Sequence, residues 1–308
     1  MKYLRPLYNG AKIGIVSGSA PEAAKEKERF ENGINKLKSM GYDVVVAKHT
    51  CNTKNYMSGT EVEMAEDINE MFRNPDIDCI MCSGGGVNSN RILKHLDYEL
   101  IAENPKMFIG VSNPTVVLNA ITARTGMVTF HGPAIIWDYG DDNFPDFTKD
   151  SFLNILTESC ECVTFNNHEN RWKANKGGVA TGKLVGGNLV SIQCLLGTPY
   201  EPDWNDKILI WEDICKPIER IDLMLTHFRD AGVFDKIAGM LIGELVACEG
   251  ADSALDELLS ELMGEYSFPI ISNIPFGHTS NKLTLPLCAS VYMDSDNLIL
   301  KTTERIFR

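Results

Sequence analysis

A short apolar run, Phe108-Ile109-Gly110-Val111, leads into Ser112-Asn113-Pro114, and the proline opens a helical stretch. The layout predicts a strand, a tight turn and a helix. It puts the Ser112 hydroxyl at the turn and aims the first helical N–H groups at whatever the hydroxyl attacks. A serine in that place serves either as a helix cap or as a nucleophile. Two residues further along the chain favour the second role. Glu212 ends the apolar run that begins at Lys207, where a strand end can hold a carboxylate rigidly, and His278 follows Gly277 in a loop after the apolar stretch from Ile271. Acyl transfer to a hydroxyl needs a base near neutral pKa, held in one tautomer by a carboxylate. Ser112, His278 and Glu212 are therefore the candidate nucleophile, base and orienting carboxylate.

A second signal is the turn Ser83-Gly84-Gly85-Gly86-Val87-Asn88-Ser89-Asn90, which follows the apolar segment ending at Cys82. On its own it is either a tight turn or a cradle of N–H groups for an anion. Beside a serine nucleophile it can supply one oxyanion donor, and the amide of Asn113 the other; Pro114 has no N–H to give. The earlier turn, Ser17 to Pro21, lacks the G-x-G-x-x-G spacing of a dinucleotide site. His131 lies at a strand end near this chemistry and is expected to line the site. His95 and His227 fall on helices, His49 at a strand exit and His168 in a polar loop. Cys79 and Cys82 sit three apart on a strand and so face opposite sides. Cys160 and Cys162 share a strand face, but no second pair or histidine completes a site. No metal is expected. The Ser–Glu–His order suits an α/β-hydrolase, but that elbow is G-x-S-x-G, and Pro114 stands where its last glycine belongs.

These residues need a scaffold, and the first half supplies alternating strands and helices. Strands are predicted over 12–16, 44–46, 79–82, 107–111 and 128–130. Helices are predicted over 21–40, 60–72, 89–95 and, amphipathic, 114–125. Such alternation implies α/β architecture: an open, mostly parallel sheet with helices on both faces. After about residue 138 the texture changes to a polar, turn-rich stretch and then to glycine-punctuated strands, with an amphipathic helix over 217–231. A β-rich α+β C-terminal domain is expected, with the boundary between residues 140 and 178. This gives an N-terminal domain over 1–160 carrying the nucleophile and a C-terminal domain over 175–308 carrying the glutamate and histidine.

A net charge of −13 argues against nucleic acid as a partner. Nine scattered cysteines suit a reducing cytoplasm better than a disulfide framework. The opening residues contain no apolar signal-peptide core, and no apolar run approaches the roughly 20 residues of a membrane span.

The ordered set of fragments over 12–21, 85–90, 109–119, 130–133, 186–189, 197–200, 211–213, 232–235 and 277–286 resembles the serine LD-carboxypeptidase family across almost the whole chain. Within that family it resembles the microcin C immunity branch more than the murein enzymes. The resemblance implies the same nucleophile, glutamate and histidine, with an oxyanion hole from the amides of Asn113 and Gly85 or Gly86. It also implies hydrolysis without metal or cofactor, a homodimer, and a site between the two domains. Murein members carry an arginine just before the paired glycines, where this chain has Gly84. Asn88-Ser89-Asn90 and Leu96-Asp97-Tyr98 resemble the immunity branch, which implies substrate contact at Asn88, a peptidyl- or aminoacyl-nucleotide substrate, and Trp172 as the counterpart of a base-stacking tryptophan. The family has aspartate after the nucleophile, where this chain has Asn113. A murein tetrapeptide carboxypeptidase of cell-wall recycling is the alternative substrate reading. A non-catalytic small-anion binding protein is the alternative of another class.

Overall fold

The computed structural model describes residues 4–157 and 162–307. The strands are β1 (Lys12–Val16), β2 (Asp43–Val46), β3 (Cys79–Cys82), β4 (Met107–Gly110), β5 (Thr129–His131), β6 (Thr164–Phe165), β7 (Lys173–Lys176), β8 (Val179–Asn188), β9 (Lys207–Glu212), β10 (Gly239–Gly243), β11 (Ile270–Ile274), β12 (Leu285–Leu287), β13 (Ser290–Asp294) and β14 (Ile299–Thr302). They build two sheets, ordered β12-β5-β4-β3-β1-β2 and β6-β14-β13-β8-β9-β10-β11-β7.

In the first sheet β1 to β5 run parallel, as the alternation predicts. Strands β3 and β4 are buried along their whole length, which is why they read as continuous apolar runs. From β1 the chain leaves toward β2, and from β3 it leaves toward β4 on the other side. A crevice therefore opens above the carboxyl ends of β1 and β3, the place where open parallel sheets bind ligands. The second sheet has a parallel centre, β8 to β11, flanked by antiparallel strands. The molecule is thus mixed α/β, with a largely parallel first sheet and a β-rich second part.

Several local expectations are revised. The helix predicted over 21–40 breaks at Glu26 (φ −104°, ψ 51°) into Glu22–Lys25 and Lys27–Ser39. The helix after Ser112, Thr115–Thr125, is buried on every face through Ile121 rather than amphipathic. Its Asn119 explains how: Nδ2 donates to Gly186 O (2.8 Å) while Oδ1 accepts from Gly186 N (3.0 Å), fastening the helix to β8. The polar stretch from residue 138 is turn-rich through residue 145, as expected; it is entered by a π turn over Ile135–Tyr139 and left by an additional helix over Asp146–Thr157. A helix over Ala251–Met263 carries the crossover from β10 to β11.

The sheets do not divide at one point in the sequence. Strand β12, far into the C-terminal half, pairs antiparallel with β5 of the first sheet. Cys79 and Cys82 are both buried in β3, and burial pushes the Cys82 thiol up to about 12. Cys160 lies outside the described residues. Among the described residues no helix is long and apolar enough to cross a membrane.

Candidate active site

Ser112 stands at the turn between β4 and the buried helix Thr115–Thr125, with φ at +66°. A positive φ is unfavourable for a residue with a Cβ and persists only where the surroundings hold it. Here the turn is closed by Thr115 N donating to Ser112 O at 2.9 Å, and by the clamp of the helix onto β8. The strain leaves the hydroxyl half-exposed in the crevice. Gly85, on the neighbouring strand exit, has to be glycine: a Cβ there would lie 2.7 Å from Ser112 Cβ and 2.8 Å from its Oγ.

Glu212 closes β9, a strand paired on both sides, and is fully buried. Its Oε2 accepts from His278 Nδ1 at 2.7 Å, and at 3.4 Å from the His278 backbone N–H. The contact needs Gly277 beside it, at φ +89°. His278 keeps 18% of its side chain exposed and lines, with Ser112, Gly85, Gly86 and Ile214, a cleft of 340 Å³. A buried carboxylate on Nδ1 directs the other ring nitrogen toward solvent as the proton acceptor. The structure thus brings the three predicted chemical groups to one place, two lining the cleft and the third behind the histidine.

Of the two glycine amides expected as oxyanion donors beside Asn113, one is already engaged. The Gly85 N–H is engaged by Glu22 Oε2 at 2.9 Å. Among the described residues the amides of Gly86 and Asn113 have no intramolecular acceptor, which leaves that pair free for an oxyanion. The Asn113 side chain is a brace: Oδ1 accepts from Ser89 N (2.6 Å) and Ser19 Oγ (3.3 Å), and Nδ2 donates to Ser191 Oγ (3.3 Å). Ser191 already donates its hydroxyl proton to Asn188 Oδ1. A neutral amide fits there because it donates to the serine oxygen, which an aspartate cannot do.

Three predicted contact residues are placed elsewhere. His131 is fully buried beneath Phe276, with ring centroids 5.8 Å apart, and both ring nitrogens are unpartnered. Burial, followed by the charges of His278 and Lys282, holds its pKa down to about 3. It is a neutral wall residue behind the cleft, because β5 lies between β4 and β12 and turns that face inward. Trp172, just before the edge strand β7, is only 4% exposed. Asn88 is half-exposed at φ +63°, ahead of the 3₁₀ turn Ser89–His95, and does not line the cleft.

In their stead the cleft is walled by Glu22, Trp137, Asp138, Thr279, Ser280 and Lys282. Trp137 is 44% exposed, with the Arg29 guanidinium 5.1 Å above its ring. Asp138 and Lys282 form a buried ion pair at 2.5 Å. The signal for the 137–138 pair was its position just past the carboxyl end of a parallel strand.

Known proteins resemble this chain along most of its length. Residues 13–132 match the model of the LD-carboxypeptidase N-terminal domain, and residues 181–293 that of the C-terminal domain. The microcin C7 self-immunity protein MccF of Escherichia coli is 35% identical over 97% of this chain and 95% of its own length. A solved structure of MccF in complex with aspartyl sulfamoyl adenosine superposes with a TM-score of 0.95 at 33% identity, covering 100% of both chains. Muramoyltetrapeptide carboxypeptidase from Oxalobacter formigenes gives 0.81 at 26% identity, covering 95% of this chain and 98% of that one.

Proposed function

This chain belongs to the LD-carboxypeptidase family and is a hydrolase, and from that premise we propose that it is a serine peptidase acting on aminoacyl- or peptidyl-nucleotide conjugates. Ser112 Oγ attacks the carbonyl carbon while His278 Nε2 takes its proton, and the oxyanion forms against the amides of Gly86 and Asn113. Glu212 holds the imidazole in the tautomer that can accept that proton and stabilises the imidazolium that results. The proton then passes to the departing nitrogen, which leaves as a neutral amine or amide. Water, deprotonated by the same histidine, releases the acyl group and restores Ser112.

The observation that carries this reading is the buried Glu212 at 2.7 Å from His278 Nδ1, in a cleft that also exposes Ser112 at a strained turn. The substrate class rests on likeness to MccF, which is named for immunity to microcin C7 and has been solved with an aminoacyl sulfamoyl nucleoside. The muramoyltetrapeptide carboxypeptidase likeness keeps a murein tetrapeptide as the second substrate to be tried.

The test is mass spectrometry of products from aspartyl sulfamoyl adenosine and from a murein tetrapeptide, with wild type and Ser112→Ala side by side. Cleavage of the nucleoside conjugate is expected, with kcat in the variant lower by about 10⁴-fold or more. Cleavage of the tetrapeptide alone overturns the substrate class. Equal turnover by Ser112→Ala overturns the nucleophile, and binding of the conjugate without turnover by either protein favours one that only binds its ligand.

A further inference from the structure

Trp137 stands in the wall of the cleft and takes no part in the proposed chemistry. Of the chain's 4 tryptophans, Trp172, Trp204 and Trp211 are 4%, 2% and 0% exposed, while Trp137 is 44% exposed. Among the described residues it is the only phenylalanine, tyrosine or tryptophan that lines the cleft. The backbone builds in this exposure. In the π turn Ile135–Tyr139 the other residues are all buried, and Trp137 alone faces outward. Such departures from the α-helical ladder concentrate at functional sites. Two glycines seat the turn: a Cβ on Gly33 would lie 2.5 Å from Ile135 O, and one on Gly140 would overlap Arg29 O.

The ring is also held in one orientation. Its Nε1–H donates to Glu22 Oε2 at 2.9 Å, the oxygen that also accepts from Gly85 N at 2.9 Å. Gly84 makes room for that oxygen, since a Cβ there would overlap it. The Arg29 guanidinium lies 5.1 Å from the ring centroid, and Arg29 is itself fixed by Asp141 and by Ile136 O. One face of the indole is thereby covered and its edge is tied, which leaves the second face as the surface on which a ligand can lie. A ligand that covers a ring already fixed in this way gains the burial without having to order the side chain.

A flat, preformed platform favours a flat ligand group, which it takes by offset stacking. The nucleoside conjugates proposed as substrates carry one such group, the base; a murein tetrapeptide carries none. Trp172, the tryptophan expected to stack on a base, is buried and presents no face to the cleft. Printed contacts lead from the nucleophile to Trp137. A Cβ on Gly85 would lie 2.8 Å from Ser112 Oγ, Gly85 N–H is bound by Glu22, and Glu22 binds the indole. In the conjugate the sulfamate and the ribose separate the attacked carbonyl from the base. The platform must therefore share the cleft with Ser112 but stand off from it, as Trp137 does. We infer that Trp137 is the stacking platform for the base of the conjugate and the residue that selects a nucleoside leaving group. The assignment rests on the peptidase reading above and deepens it by naming the part of the substrate that is recognised and the residue that recognises it.

Two measurements test this. In the first, adenosine monophosphate is titrated to millimolar concentration while tryptophan fluorescence is followed. Stacking should quench the emission of Trp137, and the quench should vanish in Trp137→Phe, which keeps a ring but removes that fluorophore. In the second, kcat/KM for aspartyl sulfamoyl adenosine is divided by that for its base-free analogue, in which hydrogen replaces adenine on the ribose. Trp137→Ala should lower this ratio by about 5- to 100-fold. The loss should fall mainly on KM, because the base is stacked before and after attack alike. Trp137→Phe should keep most of the ratio, although it cannot bond Glu22. An unchanged ratio in Trp137→Ala overturns the assignment, and so does an equal loss on both substrates, which would make the indole only a support for the cleft wall. The titration needs no turnover, so it separates this assignment from the peptidase reading. A quench lost in Trp137→Phe, in a protein that cleaves neither conjugate, upholds the platform and sinks the peptidase reading. No quench, or one that persists in Trp137→Phe, overturns the platform even where the conjugate is cleaved.

Discussion

Replacing Gly277 by alanine tests the link between backbone conformation and the candidate base. Gly277 has φ +89°, a region that strains any residue with a Cβ by about 1–3 kcal/mol. The larger effect is on Glu212. A Cβ at position 277 would lie 2.5 Å from Glu212 Oε2 and closer still to its Cγ and Cδ. The carboxylate cannot move away freely, because it is fully buried and the Cβ of Glu212 already abuts Gly243. Relief to an ordinary van der Waals contact needs a shift of about 1 Å, which carries the 2.7 Å bond to His278 beyond hydrogen-bonding range. In the Ser-His-Asp template, loss of the orienting carboxylate lowers kcat by about 10⁴. Displacement in place of deletion should lower it by about 10² to 10⁴, with KM changed only a few-fold. Steady-state kinetics on the preferred conjugate, with a thermal melt to verify folding, reads this directly. Gly126→Ala is the control, since Gly126 also has positive φ (+71°) but a Cβ there meets nothing within 4 Å. It should lower stability by about 1 kcal/mol and leave kcat alone. A folded Gly277→Ala protein with kcat within threefold of wild type would refute the role given to Glu212.

Two further outcomes concern the walls of the cleft. His131 is held neutral, with a folded pKa of about 3 against an ordinary value of 6.5, so between those pH values the unfolded chain binds the extra proton. Its contribution is therefore complete above pH 6.5 and is lost as pH falls, by up to about 1.4 kcal/mol per unit until near pH 3. His131→Phe removes the unpartnered nitrogens and should flatten that part of a urea-unfolding profile measured from pH 7 to 4; parallel profiles for the two proteins would count against it. Lys282→Met leaves Asp138 charged and buried without its partner, which should destabilise the fold by about 3–5 kcal/mol. Lys282→Met with Asp138→Asn should recover most of that loss in the same melts, and a double variant no better than the single one would show the pair is not coupled.

That the three candidate groups lie together was legible in the sequence because each of them sits at an exit from an apolar run. A strand that reads as Phe-Ile-Gly-Val followed by Ser, or as Ile-Leu-Ile-Trp followed by Glu, marks its own carboxyl end, and parallel sheets gather such ends on one side. What the sequence hid depends on contacts between distant residues. Glu22 and Gly85 are far apart in the chain, and nothing near either of them reveals that the carboxylate takes the Gly85 amide. His131 illustrates a second limit: on a three-residue strand, the face a side chain turns to is set by register, and a shift of one residue exchanges cleft for core. Trp172 is placed beside an edge strand whose pairing, β7 with β11, is likewise long-range. Strand β12 escaped notice because it is three residues long and contains Pro286, a residue that argues against a central strand. It is tolerated because β12 is the edge of its sheet, where a missing N–H leaves no ladder bond unmade.

That edge strand also explains how groups from two sheets come to share one cleft. Ser112 leaves β4 in the first sheet and Glu212 closes β9 in the second, so neither sheet alone contains the set. His278 lies on the segment that runs from β11 in the second sheet to β12 in the first. The segment is closed on itself by Leu283 N donating to Pro275 O, at 2.6 Å. It is also stitched to the helix Asp146–Thr157: Thr148 Oγ1 donates to Ser280 O (2.7 Å), Lys282 N donates to Thr148 Oγ1 (2.9 Å), and Thr284 N donates to Ser151 Oγ (2.9 Å). The histidine is thus positioned by a crossing strap anchored at three places: β11, β12 and a helix of the first half. This arrangement accounts for where the backbone strain falls. Ser112 takes a strained positive φ where it leaves its strand, and Gly277 supplies the positive φ that only a glycine takes without strain where the strap bends around Glu212. Strain of that kind is stable only when the flanking elements are fixed on both sides, and here the buried helix, the central strand β9 and the pairing of β12 with β5 fix them.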